Sequence, residues 1–257
     1  MLALDDDALV AVVGACFLRD LAAISRCCGR LRLASAHRRA AIARLGAPPF
    51  GLSFEGVLTS RSVSIPPGSN MGDEGLKAFS EACAFGALPR VEILDFQSNG
   101  IGAASMAVFA SLCARGALQT LKELNLGFNS IGEAGARSLA SALAVGSLAS
   151  LQKLYVAGNG ISSAGTTALA REIGGGALTE LEELHLFMND ADDAAMKALS
   201  GALATGTLPS LKNIILSVAF GHPDTTELST LKARCSSKGV DLVCLPAAGM
   251  AAAAGVS

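Results

Sequence analysis

Side chains that commonly carry chemistry are few and scattered in this chain. Its three histidines, His37, His185 and His222, are too far apart in sequence to predict a metal site or a catalytic triad. Three carboxylates cluster in NDADD at 189–193, but this segment lacks the glycine and the ligand spacing of a calcium loop. Because NDADD aligns with NSIGE at 129–133, where a helix is predicted to begin, its acids are expected to favour the helix dipole.

Motifs for nucleotides and nucleophiles are also absent from the sequence. No glycine turn ends in Lys-Ser or Lys-Thr, the arrangement that lets backbone amides cradle a phosphate. GLSFEG at 51–56 lacks the GxSxG spacing of a nucleophile elbow. Adjacent Cys27 and Cys28 have no second ligand pair at zinc-site spacing. The sequence therefore predicts a protein that is not an enzyme and that uses no cofactor and no metal.

Composition and charge limit the cellular compartments and the classes of binding partner that are expected for this protein. The 257 residues are 51% apolar with a net charge of −2, which argues against a whole-chain binder of polyanions. Seven arginines and one aspartate lie within residues 16–45, but without aromatic stacking platforms, so a solvated face is favoured over nucleic-acid binding. The N-terminus lacks a basic secretory start, and no apolar run approaches the roughly 18 residues of a membrane span. We expect a cytoplasmic or nuclear protein with no nucleic-acid and no membrane partner.

A 30-residue period organises the middle of the chain. Asparagines recur at 99, 129, 159 and 189, and glycines at 86, 116, 146, 176 and 206. Leucines keep the same register, as in LQTLKELNLGFNSIG at 118–132. Cys83 and Cys113 share a helix slot that leucine or isoleucine fills elsewhere, which predicts that both thiols lie in the core. Such a register predicts stacked units that bury their apolar sides against one another.

The pattern LxxLxLxxNxIG at 121–132 resembles the leucine-rich repeat in its long, ribonuclease-inhibitor-like form. Leu124 and Leu126 alternate as on one face of a short strand, and residues 135–145 carry a helical apolar stripe. In this family the side-chain amide of Asn129 satisfies backbone groups in the turn. The resemblance implies an α/β fold: a curved leucine-rich-repeat solenoid, with a parallel sheet on the concave side and helices on the convex side, preceded by a small helical module.

The array is expected to span residues 48–246 and to end in degenerate caps, because terminal repeats must face water. Val63 and Ile65 are assigned to a capping strand before the first full repeat. Ala219 replaces the ladder asparagine, after which residues 225–235 are predicted to form a last helix and 240–244 a last strand. Residues 247–257 are low in complexity and are predicted to form a flexible tail.

Residues 1–47 fall outside the register and resemble an F-box, the adaptor-binding module of cullin-type ubiquitin ligases. The match consists of Leu4, Leu9, Val12 or Val13, Phe17, Asp20-Leu21, Ile24, Cys27-Cys28, Arg30 and Leu31. The sequence departs from the pattern at Asp5, where proline is usual, at Gly29, where a basic residue is usual, and at Leu31, where tryptophan is usual. The resemblance implies that a Skp-type adaptor docks on Leu9, Val12, Leu21, Ile24 and Leu31. The alternative is a helical cap that only shields the first repeat.

Strand positions that alternate with the core leucines are predicted to line the concave face in three columns. The columns are Ile93, Glu123, Lys153, Glu183 and Asn213; Asp95, Asn125, Tyr155, His185 and Ile215; and Gln97, Gly127, Ala157, Phe187 and Ser217, followed by the strand exits Ser98, Phe128, Gly158, Met188 and Val218. The predicted partner-binding residues are Glu123, Asn125, Phe128, Lys153, Tyr155, Glu183, His185, Phe187 and Met188. Exposed aromatic and methionine side chains are typical interface anchors, although Phe128 could instead fold into the turn core.

These patterns predict protein recognition rather than catalysis. The main hypothesis is a substrate receptor that bridges a target protein on the concave face to a Skp-type adaptor of a cullin ubiquitin ligase. The first alternative is a plain interaction scaffold whose N-terminal helices cap the array. The second is a regulator similar to the Ran-type GTPase-activating proteins, which share the long repeat and would need a polar group reaching the nucleotide from the repeat edge.

Overall fold

A computed structural model describes residues 59–218 and 225–246, together with Ala43, Arg44, Gly46 and Phe50. Within these residues, strands and helices alternate along the chain. The strands are β1 (Ser62–Ser64), β2 (Ile93–Asp95), β3 (Glu123–Asn125), β4 (Lys153–Tyr155), β5 (Glu183–His185), β6 (Asn213–Val218) and β7 (Asp241–Pro246). The helices are α1 (Gly72–Ala84), α2 (Ala103–Ala114), α3 (Gly132–Ala144), α4 (Ser163–Glu172), α5 (Asp193–Thr205) and α6 (Thr226–Lys238). A five-residue π-helical turn, Ile173–Ala177, directly follows α4.

The seven strands form one parallel sheet in the order in which they occur along the chain. Its register is regular because equivalent repeat positions pair with each other. Leu124 on β3 lies opposite Leu94 on β2 and Leu154 on β4. Parallel neighbours need a crossover connection, and from β1 onward each crossover carries one of the helices. The predicted α/β solenoid with a parallel sheet is confirmed.

One apolar core runs between the sheet and the helices. Leu124, Leu126 and Leu139 of α3 are all fully buried in it. Cys83 and Cys113 are buried in the same core, so the prediction that these thiols fill helix slots is confirmed. Burial raises the pKa of both thiols, as expected where cysteine packs as a small apolar residue.

The repeated asparagines form a hydrogen-bonded ladder in the turns that follow the strands. The Asn129 side-chain oxygen accepts from the backbone N–H groups of Asn99 at 2.9 Å and Ile101 at 3.0 Å. Its side-chain nitrogen donates to the carbonyl oxygens of Phe96 at 3.0 Å and Leu126 at 2.9 Å. The next asparagine, Asn159, donates to the carbonyl oxygens of Leu126 and Val156 and accepts from the Ile131 N–H. Asn189 accepts in turn from the backbone N–H groups of Asn159 and Ile161. The role implied by the resemblance is confirmed, because these side chains satisfy backbone groups that no strand or helix pairs.

The acidic segment at 189–193 starts a helix, as its alignment predicts. Asp192 immediately precedes α5, and its carboxylate accepts from the Ala195 N–H at 3.1 Å. Asp193 follows in the first turn, where a negative charge favours the helix dipole. Thr225 starts α6 in the same way, with its hydroxyl oxygen 3.2 Å from the backbone nitrogen of Leu228.

Both ends of the described array contain the terminal strands and the last helix that the sequence predicts. β1 includes Val63 and ends just before Ile65, and both side chains are buried. At the other end, α6 and β7 correspond to the predicted last helix and last strand, and each extends further along the chain than predicted. Among the described residues, no helix has both the length and the apolar character needed to cross a membrane.

The F-box-like segment lies almost entirely outside the described residues. So do its five predicted adaptor-binding residues, Leu9, Val12, Leu21, Ile24 and Leu31, and the tail at 247–257. Two described residues near the end of the segment contact α1. Arg44 Nη1 lies 2.9 Å from Glu81 Oε2, and the Phe50 ring stacks on Phe79 with a centroid distance of 5.9 Å. The chain on either side of Pro48 and Pro49 is therefore in contact with the first helix of the array.

Candidate functional site

The sheet face opposite the helices, called the open face below, carries the first two predicted columns. The central leucines of β3, β4 and β5 are buried, whereas the residue on either side of each leucine is half-exposed. These flanking residues are Glu123, Asn125, Lys153, Tyr155, Glu183 and His185. Because side chains alternate along a strand, all six lie on the open face, as the sequence predicts.

Tyr155, Glu183 and Lys153 form a connected polar cluster on the adjacent strands β4 and β5. The sheet register places Lys153 opposite Glu183 and Tyr155 opposite His185. The Tyr155 hydroxyl donates to Glu183 Oε2 at 2.7 Å, and Lys153 Nζ lies 3.2 Å from Glu183 Oε1. One carboxylate thus joins a phenol and an ammonium group. The three side chains are therefore oriented before any partner binds.

His185 lies at the margin of this cluster. Its ring centroid is 4.5 Å from that of Tyr155, and the two rings are tilted by 51°. His185 Nε2 is 3.8 Å from Glu183 Oε2, which is too far for a direct hydrogen bond. Burial lowers the pKa of His185, and this effect exceeds the opposing attraction of Glu183. The imidazole is therefore neutral at pH 7 and offers one donor and one acceptor nitrogen.

Proton equilibria within the cluster favour hydrogen bonding over proton transfer. Burial raises the pKa of Glu183, but hydrogen bonds from Tyr155 and Lys153 outweigh it, so the pKa is lowered overall. Burial, together with the Glu183 carboxylate, raises the pKa of Tyr155. At neutral pH the cluster therefore holds a carboxylate, a neutral phenol and an ammonium group. An activated nucleophile would require a lowered pKa, the opposite of the shift at the phenol.

Asn125 continues the open face from β3 toward β2. Its side-chain nitrogen donates to Gln97 Oε1 at 3.2 Å, and its oxygen accepts from the Gly127 N–H at 3.0 Å. On β2, the Asp95 carboxylate accepts from the Gln97 backbone N–H at 3.1 Å. Neither Asp95 nor Glu123 forms an ion pair with any described residue. The β2–β3 side therefore presents carboxylates without cations, in contrast to the paired cluster on β4–β5.

Three apolar side chains, Phe128, Phe187 and Met188, lie at the edge of the open face just beyond the ends of β3 and β5; we call them the apolar ridge. The Phe128 and Phe187 rings pack edge to face, with centroids 5.9 Å apart and planes at 71°. Phe128 and Met188 each remain 36% exposed. The alternative that places Phe128 in the turn core is therefore wrong.

Four of the five strand exits share a left-handed backbone that the sequence analysis missed. The φ angle is +54° at Ser98, +56° at Phe128, +62° at Gly158 and +56° at Met188. A residue other than glycine pays roughly 1–2 kcal/mol for this conformation. The available signal was Gly158 itself, since a glycine at one position of a variable column indicates a positive φ angle at that position.

Gly158 also makes room for the Phe128 ring. A Cβ atom placed on Gly158 would lie 2.8 Å from Phe128 Cδ1, closer than van der Waals contact allows. The ring therefore lies directly over this glycine and reaches from the β3 exit toward β5. A side chain at residue 158 would have to displace it.

The third predicted column is largely covered by its neighbours. Ala157 and Ser217 are each only 3% exposed, so they offer little surface to a partner. Residue 157 lies beyond β4, which ends at Tyr155, but its carbonyl oxygen still accepts from the Phe128 N–H at 2.7 Å. The Ser217 hydroxyl oxygen accepts a hydrogen bond from the Met188 N–H at 2.6 Å. Phe187 is the one residue of this column that also belongs to the apolar ridge.

Two comparisons test whether the chain is similar to known proteins, and one of them finds a match. A family profile described as Leucine Rich repeat matches residues 117–140 and 147–170. Each matched segment contains one strand of the sheet and most of the helix that follows it, so the two segments are consecutive units of the array. No curated protein shows significant similarity to the chain. Residues 117–170 are therefore similar to two leucine-rich repeats, and the same register of strands, asparagines and helices extends on both sides of them.

Proposed function

We propose that this chain recognises a partner protein on its open face, the predicted concave side, and presents that partner to a Skp-type adaptor of a cullin ubiquitin ligase. The matched repeats support the general role of a protein-interaction module. The observation that carries the recognition step is the cluster of Tyr155, Glu183 and Lys153 beside the apolar ridge. Oriented polar groups next to exposed aromatic side chains are typical of interface hot spots.

The size of the open face fits a protein partner. Seven strands at a spacing of about 4.8 Å give a face about 29 Å across. This span accommodates an extended peptide or one side of a small domain. A small molecule would need a concave pocket that encloses most of its surface.

The bridging step rests on the resemblance of residues 1–47 to an F-box. In this proposal Leu9, Val12, Leu21, Ile24 and Leu31 dock the adaptor, while the repeats hold the target. The chain itself performs no catalysis and acts by bringing two proteins together.

A second candidate, a plain scaffold with an N-terminal cap, is supported by the contacts at α1. Arg44 pairs with Glu81, and Phe50 stacks on Phe79, so the connection between segment and array is attached to the first repeat. A cap that shields the first repeat requires such an attachment. The Ran-type alternative stays a sequence-based hypothesis.

Titration with a purified Skp-type adaptor separates the two candidates. We expect the full chain to bind the adaptor in isothermal calorimetry with a Kd at or below the micromolar range. The double substitution Leu21→Ala and Ile24→Ala should weaken that binding at least about tenfold, equivalent to 1.4 kcal/mol. Tyr155→Ala is the matched control, because it changes the open face and should leave adaptor binding intact.

The contrary result would be a full chain that ignores the adaptor at micromolar concentration. If the double substitution in residues 21 and 24 then also lowers the Tm by several degrees, the cap function is supported instead. The native chain, the double variant and Tyr155→Ala therefore together decide between the two candidate functions.

A further inference from the structure

Charges on the open face do not balance. Its first two columns, followed from β1 to β7, hold the carboxylates Asp95, Glu123, Glu183 and Asp241 and the ammonium group of Lys153. Lys153 is already engaged, since it lies 3.2 Å from Glu183. The remaining carboxylates have no cation among the described residues. The face therefore favours a cationic partner and repels phosphate groups, which argues against a nucleic acid or an anionic membrane.

Two carboxylates without a described cation, Asp95 and Glu123, lie diagonally across β2 and β3 beside Asn125. The sheet register aligns Asp95, Asn125 and Tyr155 in a single row across β2, β3 and β4. Adjacent strands lie about 4.8 Å apart, so Asp95 and Tyr155 flank Asn125 at that spacing. Glu123 precedes Asn125 by two residues and points to the same face. One long basic side chain above Asn125 can therefore reach both carboxylates and lie against the Tyr155 ring.

The apolar ridge begins close to this spot. Phe128 follows Asn125 by three residues, a distance of about 10 Å along an extended chain. Its left-handed backbone and the space over Gly158 hold the ring at the surface, where it packs against Phe187. Side chains on one face of an extended peptide are about 7 Å apart at two residues and about 13 Å apart at four. The spacing therefore matches a basic and an apolar side chain two to four residues apart.

We infer that the open face binds a protein segment carrying an arginine or lysine two to four residues from a large apolar side chain. The basic group pairs with Asp95 and Glu123, and the apolar group packs on Phe128, Phe187 and Met188. This inference rests on the proposed recognition function and specifies the chemistry of the partner. The polar cluster of Tyr155, Glu183 and Lys153 lies beside the basic group of the bound segment.

A phage-displayed library of random dodecapeptides, selected on the intact chain, tests this inference. We expect enrichment of peptides with arginine or lysine two to four positions from an aromatic or large aliphatic residue. One enriched peptide is then synthesised and its Kd is measured by calorimetry. Replacing its basic residue with glutamine should weaken binding about tenfold.

Three variants of the chain locate the contact. Glu123→Gln and Phe128→Ser should each weaken peptide binding about tenfold. Serine suits residue 128 because Ser98 occupies the equivalent exit with nearly the same φ angle. Glu172→Gln makes the same charge change on helix α4, and we expect less than about a twofold effect there. Combining Glu123→Gln with the glutamine peptide should add little further loss, because both changes remove one contact.

Other outcomes overturn the inference in distinguishable ways. Enriched peptides that bind independently of Glu123 but depend on Phe128 would overturn the basic-residue requirement and leave recognition on the open face intact. Peptides insensitive to both substitutions would overturn the inference and the open-face recognition together. A library that yields no binder overturns the inference as well, and the adaptor titration then tests the bridging function separately.

Discussion

The two sides of the short strands follow different rules. On the buried side, Leu94, Leu124 and Leu154 pair in register and are fully buried. On the open side, adjacent positions change from an apolar to an acidic and then to a basic side chain. Each buried side chain must fit the next repeat, whereas an open-face side chain is also exposed to water or to a partner. The array is therefore held together by what the repeats share, and its specificity lies in the positions where they differ.

Two asparagines four residues apart make this comparison concrete. Asn129 is 7% exposed and bonds to the backbone of its own repeat and of the preceding one. Asn125 is half-buried on the open face, where it bonds to the Gln97 side chain and to a nearby backbone N–H. The residue type is the same, but their surroundings differ. Asn129 forms hydrogen bonds with buried backbone groups, whereas water can replace the hydrogen bonds of Asn125. Their substitutions should therefore differ strongly in effect.

The largest effect is expected for Asn129→Ala. This change leaves the backbone N–H groups of Asn99 and Ile101 without their acceptor. At about 1–3 kcal/mol for each of these two buried unsatisfied groups, the free energy of unfolding should fall by about 2–6 kcal/mol. Urea denaturation followed by circular dichroism measures this loss. Asn125→Ala is the control, and we expect it to cost less than about 1 kcal/mol. Equal losses for the two variants would contradict the distinction between ladder and open face.

Most of the scaffold could be predicted because it depends on residues that recur every 30 positions. The pairing of Leu124 with Leu94 and Leu154 follows from the period alone. The buried thiols Cys83 and Cys113 follow from the slots that they share with leucine. Periodicity in sequence becomes periodicity in space when identical units stack.

The details of the candidate site could be predicted only in part. Period 2 alternation gave the correct face for Tyr155 and Glu183, but their hydrogen bond depends on the rotamers of two side chains from different repeats. The exposure of Phe128 depends on a positive φ angle at a residue that is not glycine, which composition does not signal. The burial of Ala157 was not predicted, because exposure depends on neighbouring side chains that the alternation pattern does not describe.

A smaller effect is expected for Tyr155→Phe, which removes one hydroxyl from the open face. The lost bond to Glu183 is charge-assisted but partly exposed to solvent, so the free energy of unfolding should fall by about 1 kcal/mol. The pKa of Glu183 should rise, because the tyrosine hydroxyl is one of the donors that lower it. Carboxyl titration by NMR measures the second effect. An unchanged Glu183 pKa in this variant would show that the cluster is not coupled as described.

The smallest effect is a pH dependence that comes from His185. Burial lowers its pKa in the folded state below the ordinary value of 6.5, so protons bind the unfolded chain more readily. The stability that this neutral histidine provides is fully present above the unfolded pKa. It is lost as the pH falls from there toward the folded pKa. The free energy of unfolding should therefore fall more steeply from pH 7.5 to pH 5.5 in the native chain than in His185→Gln.

Urea titrations of both proteins at several pH values across this window measure the difference in slope. His37 and His222 are present in both proteins and therefore cancel. Glu183 contributes little here, because its lowered pKa places the loss of its stabilising charge below the usual carboxyl range. Parallel slopes for the two proteins would mean that the His185 ring is as well solvated when folded as when unfolded. A steeper slope in the native chain would show that the packing of Tyr155 against His185 excludes water from the open face even without a partner.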